Sequence, residues 1–314
     1  MTRGTVSYIG QRLMLIAVTT VLVSSIVFLL LHQIPGNAFL NEARTSPESV
    51  AASLHHYGLD LPLPQQYANW FTSVLHGDLG ESLINRGVQI TPLLVREASV
   101  SATVGFWALL VTIGLGLFLG IIAALRQNTW VDYIASSASV AGYSIPSFVL
   151  AIFGLLIFGH YFFVWTGGTF YYIPGWGKLE QIPVPALALG LPYASYVARL
   201  TRASMLETIR TDYVRTAWAK GLKARVVVLR HALRNALIPV VTILGPLITG
   251  IITGSVVIEN IFGIPGLGKE FITSILARDY NIVIGVFTFY AALVGLANLL
   301  VDVIYPILDP RIRY

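Results

Sequence analysis

The sequence predicts an all-α polytopic membrane protein with six transmembrane helices, and three observations carry that prediction. Apolar residues make up 55% of the 314-residue chain and charged residues only 11%, with mean hydropathy +0.74, whereas a soluble domain carries about a quarter charged residues. Six apolar runs each approach the roughly 20 residues that cross a bilayer as a helix. The 20 Lys and Arg fall mainly in alternate connections between those runs, the asymmetry expected of a multi-pass protein.

The first span is expected from about Ile9 to Leu31, with Arg3 and Arg12 at its start. Its apolar run is too long for a signal peptide and no small-residue cleavage site follows, so an uncleaved span is expected. Residues 32–97 turn polar, with Pro35, Pro47, Pro62, Pro64 and Pro92. They read as a folded external region with short helices such as Pro64 to Leu75. The second span, about Ala98 to Leu125, places Gly116 and Gly120 at a spacing suited to close helix packing. The third, about Ile134 to Tyr161, should kink at Ser144-Ile145-Pro146-Ser147, its freed backbone groups satisfied by neighbouring hydroxyls. An aromatic loop, Tyr161 to Trp176, suits the lipid interface. The fourth span, about Ile182 to Ala198, is short and carries Pro183, Pro185 and Pro192. The fifth runs from about Leu237 to Ile258, an external loop from Glu259 to Asn281, and the sixth span from about Ile282 to Ile304. In outline, residues 1–31 are a cytoplasmic N-terminus and first helix, 32–97 the external region, and 98–305 the transmembrane core. That core contains a cytoplasmic loop at 199–236, and residues 306–314 form a cytoplasmic tail. Both termini share a side with the connections at 126–133 and 199–236. Together these hold 14 of the 20 Lys and Arg, so that side is expected to be cytoplasmic and the protein to sit in the cell membrane.

One polar, strongly basic stretch stands between apolar runs, Asp212 to Pro239. Arg215, Lys220, Lys223, Arg225, Arg230 and Arg234 fall in it, with Arg210 just upstream and Asp212 its only acid. Thr211 or Asp212 can cap a short helix and Gly221 can end it in a left-handed conformation. A second helix, about Lys223 to Ile238, would run into Pro239. Val214, Ala217, Trp218 and Leu222 recur at spacings that make one apolar stripe. Small Ala217 and Ala219 permit close approach, and Trp218 is a candidate interface anchor.

The run Arg215-Thr216-Ala217, then Ala219-Lys220-Gly221-Leu222, followed by Arg230-His231-Ala232-Leu233-Arg234-Asn235-Ala236-Leu237 and Pro239, resembles the cytoplasmic coupling loop of ATP-binding-cassette importer permeases. The general pattern has Glu-Ala-Ala three residues before the glycine. Here Arg215 stands for the Glu and Thr216 for the first Ala, a departure similar to the dipeptide/oligopeptide/nickel branch, B-type subunit. Pro35-Gly36-Asn37, the run from Gly58 to Tyr67, His76 to Ser82 and the terminal Leu308 to Tyr314 resemble the same branch. The resemblance implies a type I importer permease that forms half of a translocation pathway for peptides. It further implies a second homologous permease subunit, two cytoplasmic ATP-binding subunits, an external substrate-binding protein and the bilayer as partners. The coupling helix would comprise Asp212, Tyr213, Val214, Arg215, Thr216, Ala217, Trp218, Ala219, Lys220, Gly221 and Leu222. An external gate loop would include Glu259, Phe262, Gly263, Pro265, Gly266 and Gly268, the three glycines and the proline supplying backbone bends. No cofactor is expected in this chain, ATP and magnesium belonging to the partner subunits. Relatives in the branch handle nickel, glutathione or oligosaccharides as well as peptides.

Other motifs carry less. Gly263 to Lys269 nearly matches a phosphate-binding loop, but Glu270 replaces the hydroxyl residue that ligands magnesium, and no strand precedes it. His55 and His56 are adjacent, so their rings do not share a helical face, and ordinary surface histidines are expected there rather than metal ligands. The absence of cysteine excludes disulfides and thiolate chemistry. Gly142-Tyr143-Ser144-Ile145-Pro146 lacks the last glycine of a hydrolase elbow. The net charge of +5 follows from membrane topology and needs no nucleic acid. An ion-coupled carrier is the rival reading, but such carriers bury ionisable groups at mid-membrane, and the span centres carry none.

Overall fold

The computed structural model describes residues 3–34, 47–252 and 254–308. Among these residues extended pairing is confined to an isolated antiparallel bridge between Glu81 and Gln89. The helices are α1 (Arg3–Gln33), α2 (Pro47–His56), α3 (Leu63–Leu75), α4 (Ile90–Leu125) and α5 (Trp130–Ser144). They continue with α6 (Ser147–Trp165), which widens to a π-helix over Leu155–Tyr161, then α7 (Pro183–Ile209) and α8 (Asp212–Ala219). The remainder are α9 (Ala224–Ala236), α10 (Ile238–Ile252), α11 (Val256–Phe262), α12 (Leu267–Ala277) and α13 (Tyr280–Leu308).

Length and apolarity pick out four membrane-crossing helices among the described residues, in α1, α4, α6 and α13, and a fifth if α9 and α10, bent by 51°, count as one span. The expected fourth span corresponds to α7, which has the length at 27 residues. Its burial comes from protein: Val184, Leu189, Val197 and Met205 are all covered. Several expected boundaries move. The second span begins its helix at Ile90 rather than Ala98, because Arg96 and Glu97 interrupt the apolar run without interrupting the backbone ladder, and Glu97 is itself buried. α7 continues past Ala198 to Ile209 and so carries Arg199 and Arg202 on a helix expected to hold no charge. The Glu259 to Asn281 loop is mostly α11 and α12. Pro239 falls in the first turn of α10 rather than stopping the preceding helix; a proline there removes an N–H that has no intrahelical partner. The break at Ile145–Pro146 lies where the sequence places a kink, and the Ser144 hydroxyl donates to the Val140 carbonyl at 2.8 Å. Pro35-Gly36-Asn37 and residues 309–314 lie outside the described residues.

The chain forms two compact units. The first comprises residues 1–100 and 265–299. Its core gathers Leu79, Ile90, Leu94, Leu267, Ile282 and Val286, and Gly285 lets α13 approach Ile90 more closely than a side chain would permit. Aromatic residues join α1 to α3: the Phe28 ring lies 5.3 Å from Tyr67 and 6.0 Å from Trp70, and Ser25 shares a 2.6 Å hydrogen bond with the Tyr67 hydroxyl. A buried carboxylate, Asp279, ties residues 82–84 to the start of α13. It accepts from the Ser82 hydroxyl at 2.5 Å, and from the N–H groups of Leu83 at 3.2 Å, Ile84 at 3.3 Å and Ile282 at 3.3 Å.

The second unit comprises residues 101–264 and 300–314. Here α4 and α7 touch backbone to backbone. A Cβ on Gly116 would lie 2.7 Å from Val197, and one on Gly120 2.5 Å from the Ala198 carbonyl oxygen, so the glycine pair works as its spacing predicts. α5 is fixed to α7 by a two-pronged ion pair. Arg202 Nε meets Asp132 Oδ1 at 2.6 Å and Nη2 meets Oδ2 at 2.7 Å, with the Asn128 N–H and the Ser136 hydroxyl also donating to the carboxylate. Asp132 lies in the first turn of α5, ahead of the apolar run, and the Arg202 hydrogen bonds hold its carboxyl down at about 2.

Candidate functional site

α8 is a short helix set between two long ones, and its ends show why it stops where it does. Thr211 precedes it in extended conformation, its hydroxyl turned back to the Thr208 carbonyl at 2.6 Å rather than capping the helix. At the other end Gly221 adopts φ 73°. Its N–H reaches the Trp218 carbonyl at 2.9 Å, and the Leu222 N–H reaches Ala217 at 3.4 Å. This double closure with glycine in the left-handed position is the Schellman arrangement, which strongly favours glycine.

The expected single apolar stripe divides into two faces. Val214 and Ala217 are buried against Val227, Ala232 and Ile209 of the same chain. Trp218, at 46% exposure, and Leu222, at 38%, face outward with Tyr213 at 42%. Packing decides the division: Val214 and Ala217 face Val227 and Ala232, while Trp218 lies about 40° beyond Val214 and Tyr213 about 40° beyond Ala217 on the opposite flank. The inner row seats α8 on α9, and Tyr213 accepts from Asn235 Nδ2 at 2.7 Å. Asp212, Arg215, Thr216, Ala219 and Lys220 are exposed. Arg215 approaches Asp212 at 3.7 Å, an open surface pair that contributes little. The result is a braced helix presenting Trp218 and Leu222 beside Lys220 and Lys223, with Tyr213 held to α9 on the opposite flank.

The second candidate segment is built around a left-handed turn. Ser255 caps α11 through its hydroxyl, Gly263 ends it at φ 66°, and the Ile264 N–H returns to the Glu259 carbonyl at 2.8 Å. Glu259 is buried, its Oε1 accepting from the Ser101 hydroxyl at 2.7 Å, and Phe262 is buried with its ring edge-on to Tyr172 at 5.9 Å. Of the glycines read as bends, Gly263 requires its freedom. Gly266 has φ −111°, open to any residue, and opens α12 after Pro265. Gly268 is buried within α12. Glu270, expected to spoil a phosphate loop, is a half-buried carboxyl that burial pushes upward.

His55 pairs with Asp60 at 2.8 Å, and no group of three potential metal-binding side chains occurs among the described residues. The Asp279 and Asp132–Arg202 clusters went unread in the sequence; an isolated acid beside an apolar run is their only local signal.

Long apolar helices with a braced amphipathic helix carried at the end of α7 define a membrane-embedded helical protein. Comparison with known proteins agrees. Residues 116–314 match the family described as binding-protein-dependent transport system inner membrane component, and residues 5–89 match that family's N-terminal companion. The dipeptide transport system permease protein DppB of Bacillus subtilis is 40% identical over 98% of this chain and 97% of its own length. The oligopeptide transport system permease protein OppB of Escherichia coli is 39% identical over 94% and 95%. Among solved structures, the MetNI methionine ABC transporter in an inward-facing conformation covers 69% of this chain and 96% of its own, with TM-score 0.57 at 19% identity. An amino acid ABC transporter with histidines covers 71% and 95%, with TM-score 0.52 at 18% identity; these two show the fold alone. The chain belongs to the binding-protein-dependent transport system inner membrane component family. It is a permease subunit of an ATP-binding-cassette importer, a transport subunit rather than an enzyme.

Proposed function

We propose that this chain forms half of a translocation pathway for di- or oligopeptides, and that α8 with its Gly221 turn delivers ATP-driven motion to the spans. The observation that carries the mechanical part is the two-faced α8. Val214, Ala217 and the Tyr213–Asn235 hydrogen bond fix it to its own chain, and Trp218 and Leu222 stay outward beside two lysines. A lever needs both: a rigid seat on the moving spans and a surface for the partner. α8 follows α7 within three residues, and α7 holds α5 through the Asp132–Arg202 pair and α4 through the glycine contacts, so a push on α8 reaches three helices. The partners are a second permease subunit, two ATP-binding subunits that carry ATP and magnesium, and an external substrate-binding protein; this chain holds no cofactor. Peptide substrates follow from the relatives at 40% and 39% identity, which are named as dipeptide and oligopeptide permeases.

Uptake of a labelled dipeptide by the assembled complex in vesicles tests the reading. Uptake should require ATP and survive an uncoupler while ATP is maintained. Loss of uptake on uncoupling at constant ATP would point to an ion-driven carrier.

Both termini and α8 are assigned to the cytoplasm on the distribution of Lys and Arg. Cysteines at Ala52 and Lys223, both exposed, should react from opposite sides of intact cells. Reaction of both with an impermeant reagent from outside would contradict the assignment.

A further inference from the structure

Two guanidiniums line a cavity of about 240 Å³ between α4, α5 and α7, and they differ in one respect. Arg202 is satisfied by Asp132. Arg199, one turn earlier, has no carboxylate within ion-pair distance among the described residues. It sits instead over two tyrosine faces, 5.0 Å from the Tyr143 ring centre and 5.9 Å from that of Tyr196. Ring faces engage the flat side of a guanidinium and leave its N–H edge without an acceptor. Arg199 is exposed on α7, and an exposed cation on a membrane helix requires an anion or a path to water.

The cavity offers the anion a place. Gly120, Ser136, Ser139 and Ala198 keep its walls small, and the Ser136 and Ser139 hydroxyls, which donate to Asp132 and to the Ala135 carbonyl, retain lone pairs for an incoming hydroxyl. Outside it the helix surfaces are apolar: Phe118 is 60% exposed and Val140 56%. Trp130 and Tyr133, also exposed, begin α5 as aromatic side chains do at the lipid interface. We propose that this cavity binds the headgroup of an anionic phospholipid. Arg199 engages the phosphate, the serines accept from headgroup hydroxyls, and the acyl chains lie along Phe118 and Val140. A guanidinium fork matches phosphate oxygens two at a time, and basic pockets between membrane helices suit such headgroups. The leaflet is the one nearest α8.

The test is native mass spectrometry of the protein purified in its complex, incubated with phosphatidylglycerol, phosphatidylcholine or inorganic phosphate. Phosphatidylglycerol should be retained over phosphatidylcholine, and Arg199→Gln should lower its retention roughly fivefold. Arg199→Lys, which keeps the charge but loses the fork and the ring stacking, should retain an intermediate share of the binding. Ser139→Leu, which fills the cavity and leaves the cation, should lower retention as well. Unchanged melting temperature in Arg199→Gln separates lost binding from lost fold. Equal retention of phosphatidylglycerol by the native protein and Arg199→Gln would overturn the proposal. So would displacement of the lipid by inorganic phosphate at matched concentration, which would mark a small-anion site, or by a dipeptide, which would mark a substrate site. The readout needs no ATP and no hydrolysis, so its failure would leave the coupling role of α8 untouched, and failure of that role would leave the lipid result standing.

Discussion

Asp279→Ala is expected to release the segment holding α2 and α3 from the base of α13 and to lower stability by ~3–5 kcal/mol. The carboxylate is buried and satisfies the Ser82 hydroxyl and the N–H groups of Leu83, Ile84 and Ile282. Removing it leaves four donors facing a space too enclosed to hydrate freely, and each orphaned donor costs about 1–3 kcal/mol. Neighbouring contacts depend on the same fold: Tyr57 donates to the Ser82 carbonyl and Asn281 to the Glu81 carbonyl. The effect should appear as a lower melting temperature in detergent and as faster proteolysis between residues 47 and 89, with Asp279→Asn losing less because the shape and one acceptor remain. An unchanged melting temperature in Asp279→Ala would show that the segment is held elsewhere.

Val214→Asp is expected to detach α8 from α9. Val214 is fully enclosed among Ile209, Ala217, Val227 and Ala232, all apolar, so an introduced carboxylate finds no donor and costs several kcal/mol, on the order of 3–5. The spans themselves should still insert, since no apolar run is touched. Tyr213 should lose its bond from Asn235 as the helix frays. Protease accessibility between Asp212 and Lys223 should rise sharply while the yield of membrane-inserted protein holds. Equal accessibility in the mutant would mean that α8 does not depend on its inner row.

Much of the architecture was legible because bilayer crossing imposes long apolar runs and close packing imposes small residues. Gly116 and Gly120 were readable on that ground, and Gly221 because a left-handed turn is costly for other residues. What escaped was whatever depends on partners distant in sequence. Asp279 meets Ser82 across 197 residues, and no periodicity announces that meeting. The start of α4 was displaced because hydropathy falls at Arg96 and Glu97 while the hydrogen-bond ladder continues to Ile90. The stripe on α8 read as one face because spacings of three, one and four fit a helix loosely. Only the packing of Val227 and Ala232 decides which side is inward. Arg199 and Arg202 were counted as loop charges, since a sequence gives no sign that α7 continues to Ile209.

The most direct test of α8 as the coupling element is Trp218→Ala. The side chain is 46% exposed and belongs to no buried cluster among the described residues, so its removal should leave melting temperature and membrane insertion unchanged. As an aromatic anchor its truncation should cost about 2 kcal/mol of partner binding, roughly thirtyfold. The measurement is co-purification of the ATP-binding subunits together with substrate-stimulated ATP hydrolysis in lipid vesicles. The expected result is intact protein with both signals reduced by an order of magnitude or more. Full co-purification and full stimulation in Trp218→Ala would contradict the assignment of this face to the ATP-binding partner.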